Sequence, residues 1–299
     1  MRETKLGIAA GLFTILAWAS AGIFINLLDT LPILLIVSIR LSVSLFALFF
    51  IVFFLKKNIR KYLSELNNYR TWLLGFVLFL CYLFGTLAFA LAPVGEVTIL
   101  MTTSPLFVIL YKYLRKEKIT VFEIIGVILA FLGVLLITFN EITFKDFFAS
   151  SRLLGNALAL FVSLLFALYA IIYKTMNEKN EAPHSFSIAF ATFFMGIVLL
   201  LFFIDTFMQN NLGTLSNSNV VYLLAISIFS TALPTITYSL ASKYLKPIQT
   251  TSILLLEPFI AIVLAVIFIK EIPSVFIVPG FVFILLGLFF IIKNKKEKA

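Results

Sequence analysis

Apolar runs of about 20 residues alternate with short polar connections along most of the chain, the pattern of a polypeptide that crosses a bilayer repeatedly. A helix rises about 1.5 Å per residue, so about 20 apolar residues cross a hydrocarbon core about 30 Å thick. Ten runs meet this length: Leu6 to Leu28, Ile33 to Leu55, Trp72 to Ala92, Glu96 to Leu114, Val121 to Phe139, Leu153 to Tyr173, Phe186 to Ile204, Val220 to Ser242, Ile248 to Ile269 and Val275 to Ile292. Runs such as the fourth and fifth are only a few residues apart, so they are expected to fold back as antiparallel hairpins, with boundaries good to about 2–4 residues. The longest polar connections, around residues 56–71, 140–152 and 205–219, are too short for soluble domains. The first run follows a short basic start (Arg2, Lys5) but is too long for a signal peptide and lacks a small-residue cleavage site, so it is expected to be a retained helix.

Composition narrows the class further. Of 299 residues, 62% are hydrophobic and 12% charged, with a mean hydropathy of +1.12. An ordinary globular domain carries about 25% charged residues, so too few charges are present here for a soluble surface. A soluble enzyme, a secreted disulfide scaffold and a disordered chain are excluded. The net charge of +9 could suit nucleic acid, but the Lys and Arg residues lie between apolar runs, where they face anionic lipid headgroups. No nucleic-acid partner is expected. Counted on alternate sides of the ten runs, 19 Lys and Arg fall on one side and 3 (Lys145, Arg152, Lys270) on the other, with Arg40 inside a run. By the positive-inside rule both termini are expected in the cytoplasm, which requires an even number of spans.

The chain also resembles itself. A shift of 154 positions superposes Pro93 on Pro247, Ile99 on Ile253, Leu100 on Leu254, Glu117 on Glu271, Val121-Phe122 on Val275-Phe276, Gly126 on Gly280 and Gly133 on Gly287. At a shift of 148, Gly7 meets Gly155 and Trp18-Ala19 meets Phe166-Ala167. Repeats are expected over residues 1–140 and 153–292, five helices each. An odd number of spans forces the second repeat to enter from the opposite side, so the fold class is an all-α integral membrane protein of ten transmembrane helices in two inverted five-helix repeats. That architecture places a binding site between the halves near the midplane and opens it to either face in turn.

The stretch Ser230-Thr231-Ala232-Leu233-Pro234, through Lys246-Pro247-Ile248-Gln249-Thr250, Leu256-Glu257-Pro258 and Lys270-Glu271 to Gly280 and Gly287, resembles the second repeat of the EamA family within the drug/metabolite transporter superfamily. Pro93, Pro105, Glu117, Gly126 and Gly133 are similar to its first repeat. The resemblance covers essentially the whole chain. It implies a ten-helix carrier, proton-coupled or facilitative, in the inner membrane of a prokaryote, most often exporting amino acids or related small metabolites. The halves differ at one place: Pro105 and Pro258 fall one position apart, and only the second repeat has a Glu before that proline.

Two charges lie deep within apolar runs. Glu257 is nine residues into the ninth and Arg40 seven residues into the second, and a charge near the bilayer centre costs at least about 2.5 kcal/mol on insertion scales. Three readings stay open at this point: the two neutralise each other and fix packing, Glu257 carries a proton, or Arg40 docks a substrate carboxylate with its planar fork. One Arg and one Glu suit a zwitterion better than a phosphorylated sugar. Polar residues at helical spacing form a stripe on the eighth run (Ser227, Thr231, Thr235, Tyr238, Ser242), with shorter pairs at Tyr82 and Thr86, Thr98 and Thr102, and Asn156 and Ser163. The long stripe is expected to line a cavity, the shorter ones to bond neighbouring helices. Trp18, Tyr82 and Tyr169 sit mid-run, where an indole N–H or phenol O–H needs a partner, and are expected on a cavity wall. The candidate substrate-binding set is therefore Trp18, Arg40, Tyr82, Thr102, Tyr169, Thr231, Thr235, Tyr238 and Glu257.

Pro105, Pro234 and Pro258 interrupt helices and are candidate gating kinks. Gly126 with Gly133, and Gly280 with Gly287, are seven apart on one helix face and point to close helix packing. His184 is expected as a solvated loop residue, and Cys81, the one cysteine, as a packing residue. No Walker phosphate loop and no HExxH or comparable cluster is present, so neither cofactor nor metal is expected. The leading expectation is a non-enzymatic carrier of a small molecule, working as a monomer or homodimer. The alternatives are an intramembrane enzyme acting on a lipid-linked substrate, with Glu257 and Arg40 at its active site, and a passive channel, which would need a continuous polar lining.

Overall fold

The structure, a computed structural model, describes residues 2–28, 31–55, 57–138, 150–202, 216–268 and 275–293. Lys56, Lys145, Lys270, Glu271, Lys295, Lys296 and Lys298, which enter the charge count or the repeat, lie outside them. Among the described residues there are ten apolar helices, each in the region of an expected run. Within lipid the backbone must satisfy its own N–H and C=O groups, which a helix does segment by segment. Eight are long and apolar enough to span by themselves: α1 (Glu3–Ile25), α2 (Ile33–Phe54), α3 (Tyr69–Leu91), α4 (Glu96–Leu114), α6 (Ser151–Glu178), α7 (Ser185–Phe202), α8 (Asn217–Tyr244) and α9 (Pro247–Leu264). Two are shorter, α5 (Val121–Leu136) and α10 (Val278–Ile292). The chain is a multi-pass membrane protein.

The ends of α4 and α6 on the face that carries most Lys and Arg, here called the basic face, close in the same way. Lys116 and Asn180 adopt φ of 55° and 56°, and the next N–H reaches back five residues, from Glu117 to Lys112 O and from Glu181 to Met176 O. This left-handed terminator satisfies carbonyls that the last turn leaves open.

Packing shows the inversion directly. Gly126, early in α5, abuts Gly287, late in α10, while Gly133, late in α5, abuts Gly280, early in α10. The two equivalent helices therefore run antiparallel. A Cβ at Gly126 would stand 2.7 Å from the Gly287 carbonyl oxygen, so only glycine permits this approach. Helices α2 and α7 repeat the relation: Leu41 meets Gly196, and the rings of Phe49 and Phe190 lie 5.0 Å apart. The remaining large contacts exchange between halves. Helix α1 packs along α8 through Thr14 with Thr237 and Ser20 with Ser230, each at 2.7 Å. Its counterpart α6 packs along α3, with Phe84 against Phe161 and Ala92 against Gly155.

Four spans are broken near their middles. α1 has a turn at Ala19-Ser20, α4 a turn at Thr102-Thr103, α8 a wide π-helical turn over Ile228–Ala232, and α9 a tight turn over Leu254–Leu256. At the 154-residue shift Thr102 corresponds to Leu256, so the breaks in α4 and α9 are equivalent. Pro105, Pro234 and Pro258 each stand in the first turn after a break, where a proline's missing N–H is not needed.

Candidate functional site

A cavity of about 50 Å³, room for a few waters, lies between the halves. Its wall comes from α1 (Trp18, Ala21, Ile25), α2 (Arg40), α3 (Leu78, Cys81, Tyr82, Gly85, Thr86, Phe89), α4 (Met101), α6 (Val162, Phe166) and α9 (Glu257). Ile25 and Phe89 lie near the ends of α1 and α3 on the charge-poor face, so the cavity extends from the middle of the molecule towards that face.

Arg40 is 3% exposed. Its Nε and Nη2 donate to Thr231 Oγ1 at 3.0 and 2.8 Å, Nη1 donates to Thr86 Oγ1 at 3.0 Å, and Nη2 reaches Ser230 O at 3.4 Å. The guanidinium also lies over the Tyr82 ring, 5.1 Å from its centroid. The π-helical turn serves this arrangement. Pro234 has no N–H to give to Ser230 O four residues earlier, and the wide turn displaces the neighbouring donors; here Ser230 O accepts from Arg40, and Thr231 O accepts from Tyr82 at 3.2 Å. Tyr82 Oη also meets Thr235 Oγ1 at 2.7 Å and accepts from Trp18 Nε1 at 3.4 Å. Arg40 and Tyr82 thus fasten α1, α2, α3 and α8 together on one side of the cavity.

Glu257 is partly exposed and lines the cavity from α9. It forms no ion pair with Arg40, and among the described residues no hydrogen bond to its carboxylate is made. Of the three open readings the direct pair is not made: an arginine with four hydrogen bonds faces, across a shared space, a carboxylate that meets no donor among the described residues.

Of the candidate set, Trp18, Arg40, Tyr82 and Glu257 are on the wall. Thr231, Thr235 and Tyr238 stand behind it: the first two hold Arg40 and Tyr82, and Tyr238 donates to Phe166 O at 3.0 Å. Tyr169 is fully buried with its hydroxyl 2.6 Å from Ser239 Oγ, and Thr102 is buried and donates to Ile99 O within the α4 break. Sequence reasoning passed over the apolar wall (Ala21, Ile25, Gly85, Phe89, Met101, Phe166), which carries no polar signal. Two of these residues have one in the repeat: Ala21 corresponds to Tyr169 and Gly85 to Ser239, so a pair of small residues opens a gap where their counterparts touch.

The side towards the basic face is shut. Beyond the Tyr169–Ser239 contact, Tyr169 stacks on Tyr238 at 5.4 Å, Tyr173 donates to Pro183 O at 2.9 Å, and Lys174 Nζ and Asn177 Nδ2 reach Lys243 O. His184 corrects an expectation, because it is half-buried in a cluster with the rings of Tyr62 and Phe186, with Nδ1 accepting from Phe186 N–H at 3.3 Å. Burial holds its pKa below the usual histidine value. Glu65 seals the same corner, accepting from His184 N–H at 2.8 Å and Ser187 Oγ at 2.7 Å. At the charge-poor face Glu96, 3% exposed, is clasped by both ends of the Arg152 fork and by Asn156 Nδ2 at 3.1 Å. Arg152, in the first turn of α6, is thus part of a largely buried ion pair.

The chain belongs to the EamA-like transporter family. That family's model matches residues 5–139 and 153–293. An uncharacterized transporter of Clostridium kluyveri is 29% identical over 191 residues, 63% of this chain and 60% of the relative, so the chain spans under two thirds of that relative's length. A crystal structure superposes with a TM-score of 0.74 over 95% of this chain and 96% of the other, at 16% identity. At that identity the likeness is one of fold.

Proposed function

We propose that the protein is a secondary carrier of a small metabolite, an amino acid or a related compound, which binds between the halves and crosses by alternating access. One observation supports this above the others. Gly85 and Ala21 border an open cavity on the charge-poor side, while their repeat counterparts Ser239 and Tyr169 are in contact on the basic side. Inverted repeats allow the two halves to exchange conformations, which would close the first gap and open the second around a fixed midplane site. In this reading the basic loops are cytoplasmic, by the positive-inside rule, the membrane is the inner membrane of a prokaryote, and the structure is open outward. Glu257 carries the coupling proton, being the one carboxylate on the cavity wall.

The test is flux into liposomes containing the purified protein under an imposed proton gradient, with a panel of labelled amino acids and small metabolites, for wild type and Glu257→Gln. Gradient-driven flux that the substitution abolishes is the expected result. Flux that ignores both the gradient and the substitution would leave a facilitator with a structural carboxylate and overturn the proton role.

A further inference from the structure

Resting on the carrier reading, the cavity chemistry goes one step further, to the class of cargo. We propose that the site takes a compact organic ammonium with an apolar body, docked on the Glu257 carboxylate, and that it selects such amines over the amino acids that carry an additional carboxylate.

The two charged groups of the cavity are not equally available. A guanidinium has five N–H donors, and Arg40 already makes four hydrogen bonds, to Thr231, Thr86 and the Ser230 carbonyl. A cargo carboxylate could engage it bidentately only by displacing contacts that fasten three helices. The wall hydroxyls of Tyr82 and Thr86, the other donors in reach, are engaged as well. Glu257 is in the opposite condition. Its carboxylate, an acceptor only when ionised, meets no donor among the described residues and opens onto the cavity. What the site lacks is a donor, and a cargo ammonium supplies one.

The rest of the wall agrees. Trp18, Tyr82, Phe89 and Phe166 surround the space with aromatic faces, which attract an ammonium and its apolar substituents while offering a carboxylate no donor. A buried carboxylate left without donors carries a desolvation penalty, so an amino acid is held more weakly than its amine by the end that distinguishes the two.

Charge balance points the same way. With Arg40 fixed as a cation, the cavity has the same total charge whether Glu257 holds a proton or, ionised, holds an ammonium. One proton therefore exchanges for one amine without moving net charge. The other titratable groups on the wall are Cys81 and Tyr82 of α3. On helices against α9, Lys112 of α4 and Glu123 of α5 pair with each other, and Glu96 of α4 pairs with Arg152.

The test uses matched pairs differing by the carboxylate and small enough for the cavity, ethylamine with alanine and isobutylamine with valine. Binding is read from Trp18 fluorescence of the full chain in a Trp72→Phe background, and flux from proteoliposomes under a pH gradient or a membrane potential. The expected result is amine binding at least about tenfold tighter than acid binding, weakened by about a hundredfold in Glu257→Gln, with amine flux that follows the pH gradient and ignores the potential. Acids that bind as tightly as their amines, or amine binding that survives Glu257→Gln, would overturn the proposal. The amine-to-acid ratio is read on protein with Glu257 intact, so it does not depend on that variant folding. Amine binding without flux would sustain the cargo assignment and sink the carrier reading. Amino-acid flux without amine binding would do the reverse.

Discussion

At the scale of single residues, burial decides what a polar group does. Arg40 sits where an unpaired guanidinium is untenable, and Thr231 accepts two of its hydrogen bonds while donating to Ile226 O at 2.7 Å. Thr231→Val keeps the volume and removes both acceptor and donor, leaving buried N–H groups open at a cost of about 1–3 kcal/mol. A drop of several degrees in melting temperature in detergent is expected, with Thr231→Ser near wild type; equal melting of both variants would count against the staple. Arg40 and Glu257 were legible in the sequence because a charge inside an apolar run is costly whatever surrounds it. Their partners were not, since hydroxyls four residues apart suit a cavity wall and a helix-to-helix contact equally well. His184 was misjudged for a related reason. Its loop position says exposed, but Tyr62 and Phe186 close over it from different elements.

At the scale of elements, the glycines of α5 and α10 carry the clearest consequence. Gly133 abuts the Gly280 carbonyl oxygen and the Ile284 backbone nitrogen, atoms that cannot swing aside as a side chain can. Gly133→Leu overfills this seam, with an expected cost of about 1–3 kcal/mol or more, seen as lower melting temperature and loss of monodisperse protein. Ile128→Leu on the same helix, 53% exposed towards lipid, is the control and should change neither. The spacing of seven announced this contact from the sequence, as the apolar runs announced the helices. The breaks were only half legible. Pro105, Pro234 and Pro258 marked three of the broken spans, each removing the N–H that would bond the carbonyl four residues earlier, at Met101, Ser230 and Leu254, but the turn at Ala19-Ser20 in α1 has no proline at all. Backbone groups freed at such breaks are tolerated where side chains meet them, as Arg40 and Tyr82 do in α8 by donating to Ser230 O at 3.4 Å and to Thr231 O at 3.2 Å. That condition depends on a neighbouring helix and is invisible in the local sequence.

At the scale of the whole molecule, the duplication makes one half a template for the other, and the interest lies in where they disagree. Gly85 and Ser239 are equivalent positions, yet one borders the cavity and the other is fully buried against Tyr169. In a Cys81→Ser background, which removes the one native thiol, each position can report its own side. Gly85→Cys places its side chain against the flexible end of Met101, 3.3 Å away, and Ser239→Cys is nearly isosteric. Without cargo, a membrane-impermeant thiol reagent should label position 85 from the charge-poor face and leave position 239 unmodified from the basic face. Saturating cargo on the charge-poor side should slow the first reaction and start the second, because a carrier's two openings compete for one population of molecules. Simultaneous labelling of both positions at undiminished rates would mean a continuous path, the behaviour of a channel, and the exchange of conformations between inverted repeats would have to be abandoned. Slowing at 85 without any gain at 239 would mean a cargo that blocks a static pocket, and the same repeats would then be a relic of duplication rather than the working parts of a carrier.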